Sequence, residues 1–165
     1  MDQCELCDFT YELPRAENAG AIIVSEAGLL CGILRDPANE VGRRRQPDVW
    51  SPLEYACHVR DVLLVQRERV LEARRTDGPE PSPMGRDERV EHDGYAEQNP
   101  ARVAVQLDEA AYMFANVLAR LGPDDWTRTI VYNYPAPSER TLRWVAVHTE
   151  HELRHHLRDV RNQLP

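Results

Sequence analysis

The sequence contains no lysine; all twenty of its basic residues are arginine. That absence excludes Schiff-base chemistry and a phosphate-binding P-loop lysine. Together with abundant Ala, Asp, Pro and Val it also points to a GC-rich genome, because lysine codons are A-rich. Positive charge is in deficit, with 28 acidic residues and a net charge of −8. A general nucleic-acid binder needs a basic face for phosphates, so no nucleic-acid partner is expected. No uninterrupted apolar run approaches the roughly 18 residues of a membrane span. The start, MDQCELCDFTYELPR, lacks the basic and apolar regions of a signal peptide. A cytoplasmic protein with no membrane partner is therefore expected. Internal repeats of about 20–50 residues are also missing.

What remains is a chain of 165 residues with 42% hydrophobic content, enough for one domain with a real core. Its cysteines are few: Cys4, Cys7, Cys31 and Cys57. In a cytosolic chain, four thiols do not imply disulfides. Cys4 and Cys7 form a CxxC, half of a zinc knuckle, but no second CxxC follows. They are either a metal or redox pair, or two thiols in an N-terminal extension covering residues 1–13. Cys31 lies in an apolar helical run and reads as core.

The spacing predicts a first helix over 14–35, with three glycines that weaken it. A second begins at WSPLEY, where Ser51 suits the N-cap, Pro52 the first helical position and Glu54 a capping box. It should run to about Arg75. TDGPEPSPMGRDERVEHDGYAEQ follows as a long connector, a lid or a loop. A third helix opens at Asn99-Pro100 and stops before Gly122-Pro123. TRTIVYNY reads as a short strand or extended arm, and Ser138 is expected to cap a fourth helix. The fold class expected is all-α, an antiparallel four-helix bundle over 14–165 with a short extended segment before the last helix. The long connectors leave helix orders other than up-down open.

Four of the six histidines, His148, His151, His155 and His156, fall near the C-terminus. Each residue advances about 100° around a helix axis. On the fourth helix Leu142, Val145, Ala146, Leu153, Leu157 and Val160 share one arc that must face the core. Arg143, Glu150, Arg154 and Arg161 should face water, and His148, His151 and His155 lie nearly opposite the apolar stripe. Glu152 and His156 lie on or beside the stripe, one turn apart. Burying that pair without partners would cost several kcal/mol, and a cation compensates both. On the second helix Arg60, Arg67 and Arg74 mark a solvent face, and His58 lies opposite them. One histidine from that helix and a Glu/His pair from another make a three-ligand site, suited to zinc, nickel, iron or manganese. Three protein ligands leave positions open, as in catalytic sites. His151-Glu152-Leu153-Arg154-His155 also spells HExxH, in which two histidines bind zinc and the glutamate acts as base. A third reading has no metal, only a solvated His-rich face. Trp50, Tyr95 and Trp144 either line a pocket or belong to the core.

WSPLEYACHVRDV followed far downstream by HELRHHLRDV resembles the DinB-like bundle superfamily, which includes bacillithiol and mycothiol S-transferases. The resemblance extends from Pro14 to Leu164. It implies that His58 joins Glu152 and His156 as metal ligands, the metal being zinc or nickel. Glu152, His156 and Asp159 resemble the Glu-x-x-x-His-x-x-Asp of mycothiol-dependent maleylpyruvate isomerase. That enzyme's further C-terminal domain has no counterpart here, so isomerase activity is not carried over. The resemblance implies a thiol S-transferase that uses a mycothiol-type thiol and an electrophilic substrate, in a chain that could form a homodimer. A metal hydrolase built on HExxH, and a non-catalytic metal-binding stress-response module, are the alternatives.

Overall fold

The computed structural model describes residues 3–134 and 136–164. Four long helices form the body: α1 (Ala19–Arg35), α2 (Pro52–Arg75), α4 (Pro100–Leu118) and α5 (Leu142–Asn162). A short helix, α3 (Arg86–His92), lies between α2 and α4. Two small hairpins flank the body, β1 (Gln3–Cys4) with β2 (Phe9–Thr10), and β3 (Thr129–Tyr132) with β4 (Ser138–Thr141). The fold is the expected four-helix bundle.

Helix α2 starts as its sequence dictates. The Glu54 amide donates to Ser51 Oγ at 3.2 Å and the Ser51 amide donates to Glu54 Oε2 at 2.8 Å, closing the capping box. Arg44 Nε donates to the same carboxylate at 2.8 Å, and the Leu53 amide donates to the Val41 carbonyl. These bonds tie the loop after α1 to the head of α2. At the next helix Asn99 is the cap, its Oδ1 accepting from the Arg102 amide at 3.1 Å.

Helices consecutive in the chain are not neighbours throughout. Both α1 and α2 pack on α4 and α5, and α1 scarcely touches α2. The first two helices thus lie across the bundle from one another, which the long loop over residues 36–51 permits. Ile23, Leu63, Leu107, Phe114, Leu142 and Val145 fill the centre. Gly20 sits where a Cβ would come within 3.4 Å of Ala115, so α1 and α4 approach closely there. Leu13–Arg35 has the length and composition of a candidate membrane span. In this fold its Ile23, Ala27, Leu30 and Leu34 are core residues.

Several expectations are corrected. Ser138 does not cap the last helix; it opens β4, opposite Tyr132. Thr141 caps instead, its Oγ1 accepting from the Trp144 amide at 3.3 Å, because strand pairing holds residues 138–141 extended. The first helix is α only from Ala19, after a 3-10 stretch over Leu13–Asn18. Arg60 does not face water. It is 7% exposed because its guanidinium donates to Asp61, Gln98, Gln106 and Asp93. Glu150 is likewise 1% exposed, with Arg154 at 3.3 Å and Arg15 at 3.8 Å.

The first residues are not a loose appendage. The β1–β2 hairpin lies against α5, with Phe9 buried and its ring centroid 5.3 Å from that of His151. His148 and His151 lie away from the apolar stripe yet are buried: Phe9 and Tyr11 pack on His151, and Tyr11, Tyr132 and Trp144 on His148.

Candidate metal centre

His58 on α2 and the pair Glu152 and His156 on α5 each offer a ligand atom, all within 4.8 Å of one another. The i,i+4 spacing puts Glu152 and His156 on one face of α5, with His156 Nε2 at 3.6 Å from Glu152 Oε2. The His58 and His156 rings stand at 85°, centroids 4.9 Å apart. His58 is 5% exposed, and among the described residues its buried Nδ1 has no hydrogen-bond partner. A buried imidazole with an unsatisfied nitrogen, packed beside a carboxylate and a second imidazole, is a group whose donors a cation would satisfy. The donor set fits a borderline divalent metal.

Asp159 completes the arrangement. Its Oδ2 accepts from His156 Nδ1 at 3.0 Å, which turns Nε2 toward Glu152 and leaves it as the nitrogen a metal would take. Trp50 and Tyr55 wall the site, their ring centroids 5.3 Å from His58 and 5.4 Å from His156 respectively. Arg86, at the start of α3, stacks on Trp50 at 5.7 Å, so the connector borders the site.

Burial and the close ionisable neighbours shift all three groups. Burial, reinforced by the positive charge of His156, pushes His58 down to about 4. Burial alone would lower His156 too, but the bonds to Asp159 and Glu152 outweigh it and raise it to about 9. Burial would raise Glu152, yet its bonds to His151 and His156 hold it well below the usual carboxylate range.

The remaining sequence candidates separate. His151 and His155 share a face with each other and turn toward the N-terminal hairpin, and His148, His151 and Glu152 form a further close group. His148 stacks on Trp144 at 4.4 Å, and burial lowers it to about 4. Tyr95 is fully buried, its hydroxyl donating to Asp61 at 2.7 Å, and His92 is exposed on α3. Sequence reasoning missed Tyr11. Its hydroxyl lies 2.8 Å from His148 Nδ1 and 3.0 Å from His151 Nδ1. Only the fold-back of the hairpin brings it there.

A family model of the DinB superfamily matches residues 30–160. The chain belongs to the DinB superfamily. Among solved structures it is similar to YfiT from Bacillus subtilis, a probable metal-dependent hydrolase with an unusual four-helix bundle topology. That match has a TM-score of 0.74 at 12% identity and covers 92% of this chain and 85% of that one. No curated protein matches the chain in sequence.

Proposed function

We propose that this chain is a metal-dependent enzyme whose His58, Glu152 and His156 hold a divalent metal, and that its reaction is hydrolysis of a small molecule. The observation that carries this is the buried His58 ring, its Nδ1 without a partner among the described residues, grouped with two donors from another helix. A divalent cation such as zinc or nickel, when bound, lowers the pKa of a water or thiol in its open positions, supplying a nucleophile at neutral pH. Asp159 orients His156 by accepting from its Nδ1. Glu152 contributes the negative charge that favours a cation over a proton. Trp50 and Tyr55 keep bulk water from one side, and Arg86 at the rim offers positive charge to an anionic substrate. The likeness to YfiT supports the hydrolytic reading.

A second reading, thiol S-transfer, is favoured by the Glu152, His156, Asp159 spacing and the His156–Asp159 bond. There the nucleophile is a low-molecular-weight thiol of the mycothiol type, and the partner is an electrophile. Cytoplasmic residence and a homodimer belong to the same proposal.

Elemental analysis of the purified chain, His58→Ala and His156→Ala, followed by turnover assays, tests this. One metal ion per chain fewer in both variants than in the parent, with ester or amide cleavage requiring no added thiol, is expected. Turnover only when a thiol is supplied transfers the assignment to the second reading. Full metal content in both variants overturns both.

A further inference from the structure

We propose that the N-terminal hairpin and α5 together form a second, structural zinc site, with Cys4, Cys7, His151 and His155 as its four ligands. This inference is independent of the bundle site and of the reaction assigned to it.

The four side chains offer ligand atoms that all lie within 4.8 Å of one another. Zinc bonds of about 2.3 Å to sulfur and about 2.0–2.1 Å to nitrogen, at tetrahedral angles, put such a pair about 3.6 Å apart. Cys4 Sγ lies 3.7 Å from His155 Nδ1. Two thiols and two imidazoles are a donor set that selects zinc. The spacing is Cys-x-x-Cys in a tight hairpin and His-x-x-x-His on a helix, where i,i+4 places both rings on one face.

The other nitrogen of each ring has a neighbour of its own. His155 Nε2 lies 3.6 Å from Asp159 Oδ2, leaving Nδ1 to face Cys4. His151 Nδ1 lies 3.0 Å from the Tyr11 hydroxyl. Its Nε2 is buried and, among the described residues, has no hydrogen-bond partner. That orphan is the nitrogen left for the cluster. The competing group of His148, His151 and Glu152 is less suited. The His151 nitrogen that approaches Glu152 is Nδ1, at 3.6 Å, and the Tyr11 hydroxyl already lies closer to it.

The fold gives such a site something to do. β1 and β2 have two residues each, too little pairing to hold a hairpin in place alone. Phe9 and Tyr11 supply some packing, but the four ligands come from opposite ends of the chain. A cation there would clip the hairpin onto the last helix and fix Phe9 and Tyr11 over His151. Four protein ligands leave no open position, in contrast to the three-ligand bundle site.

The test uses the full chain with zinc or cobalt as the only probe, in reducing buffer. The parent is expected to hold one more zinc per chain than Cys4→Ser/Cys7→Ser, and His155→Ala is expected to lose the same ion. Cobalt loading should give sulfur-to-metal charge-transfer absorption that survives His58→Ala. Should the cysteine variant fail to fold, alkylation of the unaltered chain decides. Zinc should shield Cys4 and Cys7 from iodoacetamide, and its removal by a chelator should expose them. Equal alkylation with and without zinc, a cobalt spectrum with no thiolate band, or an ion that leaves with His148→Ala but not with the cysteine variant overturns the proposal. Failure of the bundle-site reading shows separately, as metal content unchanged by His58→Ala.

Discussion

His155 and His156 are consecutive in the chain, yet their rings stand at 90°, centroids 5.5 Å apart, and serve different clusters. His155 turns Nδ1 to Cys4, while His156 turns to Glu152 and His58. A single carboxylate, Asp159, stands behind both, at 3.0 Å from His156 Nδ1 and 3.6 Å from His155 Nε2. Glu152 likewise has Oε1 near His151 and Oε2 near His156. About two turns of α5, from His151 to Asp159, therefore link the two clusters.

Asp159→Asn removes the charge that orients His156 but leaves its shape. Loss of such a partner weakens metal binding by about 10–100-fold. Chelator competition on the bundle site, with helical content followed by circular dichroism, measures this. An unchanged affinity would show that Asp159 is only a surface neighbour.

Metal binding at the bundle site should depend on pH through His156. Because its pKa in the folded, metal-free chain is raised to about 9, the ring is protonated at neutral pH and a cation must displace that proton. Affinity should therefore rise about tenfold per pH unit up to the His156 pKa, then level off. Calorimetry in buffers of different ionisation enthalpy counts the protons released near neutrality. A release close to zero would contradict the assignment.

Acid should destabilise the metal-free chain before its carboxylates titrate. His58 and His148 are both depressed to about 4 by burial, against about 6.5 in an unfolded chain. The unfolded state therefore binds more protons between those values, so stability is present above about pH 6.5 and is lost as the pH falls toward 4. His156 acts in the opposite sense: its contribution is complete below about 6.5 and fades as the pH rises through about 9. Urea unfolding across pH 4–7 should show a shallower fall for His148→Phe, which keeps an aromatic ring to stack on Trp144. Identical slopes in parent and variant would refute this account.

Asp61→Ala should be severe. The carboxylate accepts from Arg60 Nε at 2.8 Å, the Tyr95 hydroxyl at 2.7 Å and Arg89 at 3.0 Å, tying α2 to the connector beside the site. Removing it strands the buried Arg60, and breaking such a pair costs about 3–5 kcal/mol. Denaturant unfolding reads the loss directly. A drop within experimental scatter would mean that the remaining partners of Arg60 suffice.

Much of this was legible in the chain. The capping box of α2, the inward placement of His58 and the pairing of Glu152 with His156 follow from spacing and local chemistry, because helical periodicity fixes which residues share a face. The same periodicity failed for Arg60 and Glu150. A helical wheel records direction from the axis, not what another segment later lays over that direction. Ser138 was a sound cap locally, but pairing with β3 offered its backbone a better partner. CxxC and HExxH were each readable as half-motifs, and their juxtaposition was not.

The sequence by itself determined the four helices, the caps of α2 and α4 and which residues of α2 and α5 turn inward, since those depend on neighbours a few residues away. The tertiary structure alone decided that α1 and α2 lie across the bundle from each other, and that residues 3–12 return to cover α5 about 140 positions later. Such long-range contacts depend on which surfaces bury best together, and no local periodicity records that.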